Sequence, residues 1–274
     1  MNLKDLTPKE IELMDYNQLI GLVKETNRIP GGKNTIFEIL NRLLITKESK
    51  ILEIGTSTGF TAIEISRLVK CKIVSIDINE DSLAEARERA KKEGFVNINF
   101  LKADVQNLPF KEKKFDLVIV GNVFSLLGNK IKALKECKRV LKNSGFICAV
   151  PMYYIKPPTS DLIKKVSDAI KVSLIPMYKD DWFKFLEDSE IELYWSKDFK
   201  FDYISDETIN NFVKEILSRP HLKELKDETR VKLNSKYIDF MYLFRDNLSR
   251  MGFSIIIISK KIWEDPELYT SKPV

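Results

Sequence analysis

The run Ile51-Leu52-Glu53-Ile54-Gly55-Thr56-Ser57-Thr58-Gly59-Phe60-Thr61-Ala62-Ile63 restricts this chain to few folds. A short, almost wholly apolar stretch ends in a turn bounded by two glycines and passes directly into sequence of helical character. Apolar continuity of that kind marks a strand covered on both faces. The turn then brings the free N–H groups and positive dipole end of the following helix beside the strand end. Eighteen residues after Gly59, Asp77 follows a second Ile/Val-rich run, Ile73 to Ile76. A carboxylate there can accept both hydroxyls of a ribose. Strand, glycine turn, helix, strand and acid together imply a nucleoside site.

The same alternation continues from Lys50 to Val150. Further apolar runs lie at Ile98 to Leu101, Leu117 to Val120 and Phe146 to Val150, separated mostly by amphipathic stretches. The pattern predicts a parallel α/β sheet whose crossovers are helices. Asn79 is placed to cap a helix through Lys92, with Leu83, Ala86 and Ala90 on one stripe and Gly94 as its stop. Asn129 is placed to start another, carrying Ile131, Leu134 and Val140 and ended by Asn143-Ser144-Gly145.

The chain has 274 residues, enough for one domain with elaborations or a domain with a cap. Residues 1–49 read as an N-terminal helical cap of two helices. The first opens on Thr7-Pro8-Lys9-Glu10, a capping box with proline at the first helical position. The second, after Asn27-Arg28-Ile29-Pro30-Gly31-Gly32-Lys33, has Ile36, Phe37, Leu40, Leu43 and Leu44 as its stripe. Residues 50–205 and 251–263 form the expected core, with a strand around Ile191 to Phe201 and a last strand at Phe253 to Ser259. Residues 206–250 read as a helical insertion between the last two strands. Ile209, Phe212, Val213, Ile216 and Leu217 lie on one stripe before Pro220, and Tyr237, Met241, Phe244 and Leu248 on the next.

Composition narrows the setting. No apolar stretch approaches the roughly 20 residues of a membrane span, and Met1 to Glu12 is too charged for an export signal. Cys71, Cys137 and Cys148 form no metal-type cluster, which suits reduced thiols and a cytoplasmic location. Forty-five basic residues against 40 acidic leave a net charge of only +5, spread along the chain, so a nucleic-acid partner is not indicated. Charged residues make up 31%, and glutamine occurs only at Gln18 and Gln106, a balance typical of thermophile proteins.

With these elements in place, the chain resembles the class I S-adenosylmethionine-dependent methyltransferases. Glu53-Ile54-Gly55-Thr56-Ser57-Thr58-Gly59 is similar to the family's first motif, acid-x-Gly-x-x-x-Gly. Asp77-Ile78 matches its ribose acid and adenine-covering neighbour, and Ala103-Asp104-Val105 the segment at the adenine amine. Phe115 to Asn122 looks like the fourth strand, and Arg139 to Phe146 like the turn into the fifth. The resemblance covers residues 35 to 150 closely and 182 to 261 more loosely. It implies a Rossmann-like, doubly wound, mostly parallel seven-stranded sheet with an antiparallel last strand. It also implies S-adenosylmethionine as cofactor, with S-adenosylhomocysteine as product. On this reading Glu53, Gly55, Thr56, Ser57, Gly59, Asp77, Ile78, Asp104, Val105 and Asn122 form the cofactor site, although Asn122 has an alternative role in turning the chain.

Charge separates a methyl donor from a dinucleotide. The spacing here departs from the dinucleotide fingerprint Gly-x-Gly-x-x-Gly. An acid two residues before Gly55 would repel a pyrophosphate but suits the cationic amino group of methionine. The same residues also spell the hydrolase elbow Gly-x-Ser-x-Gly, with His221 downstream in the order of a triad. Only helical sequence precedes Ile51, however, whereas a hydrolase elbow follows several earlier strands.

Methyl transfer from a sulfonium is an in-line displacement needing alignment in a water-poor pocket, and a base only when the acceptor must lose a proton. No residue here is assigned as that base. After the fourth strand stands Gly121-Asn122-Val123-Phe124. It matches neither the Asn-Pro-Pro-Tyr pattern of base and glutamine methylation nor the metal-binding aspartate of catechol-type enzymes, so no metal is expected. Terminal and inserted helices suit a small-molecule acceptor. Arg28 is either its anion partner or a solvated loop charge, and Tyr153 and Tyr154 are candidates to line its pocket. A methyltransferase acting on RNA or protein and a non-catalytic module binding the nucleoside are the alternatives. Exposed helical stripes in 206–250 also suit a homodimer.

Overall fold

In a computed structural model, residues 3–187, 189 and 191–260 are described, so 261–263 of the expected core lie outside the described residues. The N-terminal part contributes α1 (Pro8–Leu13), α2 (Tyr16–Leu22) and α3 (Gly32–Arg42). The alternating part follows as β1 (Lys50–Ile54), α4 (Phe60–Val69), β2 (Lys72–Asp77), α5 (Glu80–Lys92), β3 (Ile98–Lys102), β4 (Phe115–Val120), α6 (Lys130–Val140) and β5 (Leu141–Ala149). Then come β6 (Met152–Tyr154), α7 (Ser160–Ile170), α8 (Lys179–Glu187), β7 (Ile191–Lys200), α9 (Asp206–Leu217), α10 (Asp227–Leu248) and β8 (Met251–Lys260).

β1 lies between β2 and β4, both parallel to it, while β3 extends the sheet beyond β2 and β5 beyond β4. Neighbouring β1 residues point to opposite faces. Ile51 enters one core cluster with residues of α3, α4 and α5, and Leu52 the other with residues of α6 and α8. Both are fully buried, which is why the strand reads as one apolar run.

Among the described residues the sheet has seven positions but eight strands. β8 runs antiparallel to β5, β6 and β7. β7 pairs along one edge of β8 from Gly252 to Lys260, so β5 and β6 share the other edge, opposite Ile256–Ser259 and Met251–Phe253. They are one strand position interrupted at Val150-Pro151, because proline has no N–H for the ladder. Pro151 still accepts a hydrogen bond from the Ser254 N–H at 3.2 Å. The expected antiparallel last strand is β8.

Local signals placed most helices. Thr7 and Glu10 form the capping box of α1, and the Asn79 side chain accepts the N–H groups of Asp81 and Ser82 at the start of α5. Four expectations shift. The first expected helix is two, because Asp15 and Gln18 form a second capping box that restarts the chain at Tyr16. In the α3 stripe, Phe37 and Leu44 are exposed, at 46% and 93%; the helix ends at Arg42, so Leu44 no longer follows its period. α6 ends at Val140 with Leu141 already extended, and Asn143-Ser144-Gly145 lie inside β5. Finally, Ile131 is 59% exposed and off the buried stripe of α6, which runs through Ala133, Leu134, Cys137 and Val140.

The helices between β7 and β8 do not stand apart. Leu6, Ile11, Leu19 and Val23 pack with Ile209, Val213, Leu233 and Tyr237 in a third cluster. Burial of side chains this size contributes roughly 1.5–3 kcal/mol each relative to exposure.

Candidate functional site

The site is built where β1 and β2 end. Gly55 has φ +74° and Gly59 φ +84°. A Cβ on Gly55 would lie 2.2 Å from Val123 Cγ2, and one on Gly59 2.9 Å from Ala86 Cβ, so each glycine meets both a backbone and a packing demand. Between them Ser57 also takes a left-handed conformation, φ +47°. The N–H groups of Gly55 and Thr56 donate to Ile76 O at 2.8 and 3.0 Å, folding the turn over the end of β2. α4 starts at once behind it, so its dipole end faces the turn.

Asp77 closes β2 beside that turn. Its Oδ2 accepts the Ser57 N–H at 2.8 Å and its Oδ1 the Asn79 N–H at 2.9 Å. Each oxygen keeps a further lone pair for hydroxyls outside the turn. Ile78 is 70% exposed next to it, an uncovered apolar surface at the mouth of the site. Asp104 is exposed and accepts the Gln106 N–H at 2.8 Å, while the Val105 side chain is buried in the core with Ile54 and Ile76. Any contact at Val105 is therefore a backbone one.

Glu53 is 3% exposed. Its Oε2 accepts the hydroxyls of Thr56 at 2.7 Å and Ser75 at 2.8 Å. Burial pushes its carboxyl above the ordinary carboxylate range, the hydroxyls of Thr56, Ser75 and Thr61 pull it back, and the negative charge of Asp77 adds to the rise. An ammonium held at the turn would satisfy this acid and favour its charged form.

The other sequence candidates divide. Asn122 Oδ1 accepts from Met152 N at 3.0 Å and Ser125 Oγ at 2.6 Å, so its carbonyl ties the end of β4 to β6. Tyr153 and Tyr154 are buried. The Tyr154 hydroxyl donates to Asn247 Oδ1 at 2.7 Å, and that of Tyr153 accepts from Ser254 Oγ at 3.3 Å. Arg28 is exposed, its guanidinium 5.6 Å from the Phe60 ring centre, on the wall of a cavity of about 390 Å³ that also includes Thr26, Thr58, Arg67 and Arg89. Neither Asp77 nor Asp104 lines that cavity. His221 Nε2 is hydrogen-bonded to Leu22 O at 3.0 Å, and β1 is the first strand of the described chain, so the hydrolase reading has neither its histidine nor its topology.

Three residues carry no motif and were missed. Asn27 crosses the turn, donating its N–H to Thr58 Oγ1 at 3.2 Å and its Nδ2 to Ser57 Oγ at 3.3 Å. Arg89 of α5 donates to Lys24 O and Thr26 Oγ1, both at 2.7 Å, and to Thr58 Oγ1 at 3.3 Å. Arg219 donates to Val23 O at 2.7 Å and also to Lys24 O. These contacts join residues 30 to 200 positions apart, and only the helical period of Arg89 behind Ala86 hinted at one of them.

A glycine turn with an acid before it and a second acid ending the next strand defines a nucleoside-binding α/β domain with the sheet order of Rossmann-like methyltransferases. Residues 45–190, just over half of the chain, match the family model of the methyltransferase domain, and the chain belongs to this family. It is 29% identical over 170 residues to an uncharacterized protein of Haemophilus influenzae, covering 61% of this chain and 67% of that protein. It is 36% identical over 130 residues to the ubiquinone/menaquinone biosynthesis C-methyltransferase UbiE of Coxiella burnetii. That match covers 46% of this chain and 51% of the relative, so it spans about half of the enzyme's length. Among solved structures, MccD protein superposes with a TM-score of 0.72 at 24% identity, over 86% of this chain and all of that one. Phosphoethanolamine N-methyltransferase 2 of Haemonchus contortus, in complex with S-adenosyl-L-methionine, superposes with a TM-score of 0.67 at 14% identity, over 93% and 57%. At these identities the superpositions speak for the fold.

Proposed function

We propose that this chain transfers a methyl group from S-adenosylmethionine to a small-molecule acceptor. The observation that carries the reading is the pair of carboxylates around one turn: Glu53 buried behind Gly55, and Asp77 bonded to Ser57 in front of it. Asp77 would hold the ribose hydroxyls, Glu53 would supply a field for the methionine ammonium, and Ile78 and Asp104 would flank the adenine. When bound, the donor supplies an electrophilic methyl on a positively charged sulfur. The protein's part is to orient it and exclude water, which agrees with a turn closed by Val123 on one side and Asn27 on the other. The small-molecule class is supported by the UbiE relatives. Many basic residues of the site's surroundings are paired with carboxylates, as in Lys33–Glu64 and Arg89–Glu85, which weighs against a nucleic-acid groove.

Among the described residues, no helix is long and apolar enough to cross a membrane, and no group of three or more His, Cys, Asp or Glu side chains is arranged to hold a metal. We further infer a reducing, cytoplasmic setting. Cys71, Cys137 and Cys148 are free and buried, and burial pushes the first two thiols to about 11 and about 12. Linked ion pairs such as Lys24 with Glu85 and Glu88, and Glu88 with Lys92, support the thermophile reading. The stripes of α9 and α10 on which a homodimer was expected pack instead on the N-terminal helices through Ile209, Val213, Leu233 and Tyr237, which leaves the homodimer reading with the exposed Val231 of α10.

Titration calorimetry with S-adenosylhomocysteine, followed by mass spectrometry of hydroxylated aromatics and amines incubated with S-adenosylmethionine, tests the reading. Heat of binding and a methylated product are expected. Indifference to both sulfur nucleosides, with binding of a pyrophosphate cofactor instead, would overturn it.

A further inference from the structure

Residues Leu22 to Arg28 form a strap that belongs to no helix after Leu22, yet its backbone is held from two sides. His221 bonds Leu22 O, Arg219 donates to the carbonyls of Val23 and Lys24, and Arg89 donates to Lys24 O and Thr26 Oγ1. Tyr237 of α10 adds a fourth clasp, its hydroxyl donating to Glu25 Oε2 at 2.7 Å. Side chains distant in sequence thus satisfy carbonyls that an ordinary surface loop can leave to water. The far end of the strap rests on the donor turn through Asn27, whose hydrogen bonds among the described residues are to Ser57 and Thr58. Ile29 beyond it lies over the end of β4, 3.7 Å from where a Cβ on Gly121 would stand.

We propose that this strap is the outer wall of the donor site, with Asn27 as a donor-retaining residue and Arg219 as the positioning residue that seats it. The inference rests on the donor assignment above. Arg219 lies in the segment between α9 and α10, almost 200 residues from the strap, so the insertion takes part in holding the cofactor without touching it. Arg219 alone holds two consecutive carbonyls, both from its Nη1. Releasing them frees the strap to lift, and a lifted strap lets the nucleoside leave.

The test is the rate of S-adenosylhomocysteine release, followed by stopped-flow displacement with excess S-adenosylmethionine. Arg219→Ala and Asn27→Ala should each raise the dissociation rate roughly ten-fold or more, with association slowed by less than about three-fold, as a lost clasp acts mainly on release. Arg219→Lys, which keeps the positive charge and N–H donors on a shorter-reaching, differently shaped head, should recover part of the retention, and Asn27→Ala should leave the unfolding temperature unchanged because Asn27 is exposed. Were wild-type protein to bind S-adenosylhomocysteine while folded Arg219→Ala and Asn27→Ala released it at the wild-type rate, the strap would have no such role. If wild-type protein bound none, the donor assignment itself would fall, and this proposal with it. If Arg219→Ala failed to fold, Asn27→Ala would decide alone.

Discussion

Asp77 Oδ2 accepts the backbone N–H of Ser57 at 2.8 Å, so the carboxylate that ends β2 holds in shape the turn that ends β1. One residue thus serves two purposes, ordering a left-handed Ser57 and presenting its remaining lone pairs outward. Asp77→Ala should lower affinity for S-adenosylhomocysteine by about 10- to 100-fold, or roughly 1.4–2.7 kcal/mol, the range for lost hydrogen bonds to a charged group. Calorimetry measures this directly, and undiminished affinity would remove Asp77 from the ribose contact.

Gly55→Ala tests the turn itself. The new Cβ would meet Val123 Cγ2 at 2.2 Å in a backbone conformation, φ +74°, that alanine rarely adopts. Strain and overpacking each cost about 1–3 kcal/mol. Adding Val123→Ala should relieve the clash but not the backbone strain, so chemical denaturation of the double variant should show only partial recovery.

Glu53 should make donor binding depend on pH. Its folded pKa is raised above the ordinary 4.5, chiefly by burial. In the window between those two values the folded state binds more protons than the unfolded, so this group's contribution to stability falls as pH rises through the window. An ammonium at the turn favours the charged acid, so binding should release a proton near or below the folded pKa, and affinity should drop on acidification. Calorimetry in buffers of different ionisation enthalpy would detect the release. Glu53→Gln should abolish it and weaken binding about ten-fold, while leaving the protein no less stable at pH 8, because a buried charge has been removed.

Tyr237→Phe tests the strap's clasp on Glu25. Burial raises the Glu25 carboxyl, and the Tyr237 hydrogen bond lowers it, followed by the charges of Arg28 and Arg219. Losing the hydroxyl leaves a half-buried carboxylate poorly satisfied at alkaline pH, but a neutral acid below its folded pKa. The expected loss is about 1–3 kcal/mol at pH 8 and less near pH 5, from urea unfolding at both values. An equal loss at the two pH values would show that the hydroxyl does not bear on the charge of Glu25.

The buried thiols should be inert. With Cys71 at about 11 and Cys137 at about 12, thiolate is scarce at neutral pH, and Cys148 lies higher still for the same reason. A thiol reagent at pH 7.5 should label none of the three in folded protein, and all three in denaturant.

Much of the core was readable because its signals are local. Strand runs around Ile51, Ile73 and Leu117, the caps at Thr7, Asn79 and Asn129, and the Gly55–Gly59 turn with Glu53 and Asp77 each declare themselves within a few residues. The misreadings were local competitions as well. Asp15 and Gln18 restart a helix that periodicity alone would have continued, and α6 gives way to β5 at Leu141 before the expected stop at Asn143-Ser144-Gly145. Tyr153 and Tyr154, candidates for the acceptor pocket by their place after β5, are buried with their hydroxyls engaged by Ser254 and Asn247.

Sequence alone determined the parallel core and the two carboxylates about one glycine turn, because strand burial, helix capping and positive φ are demands met by near neighbours. Tertiary structure alone decided what lies over that turn. The strap is seated by Arg89 and Arg219, and the N-terminal helices share a core with α9 and α10. Such contacts join residues up to 200 positions apart, and they form only once the sheet has brought those segments together, so no spacing along the chain records them.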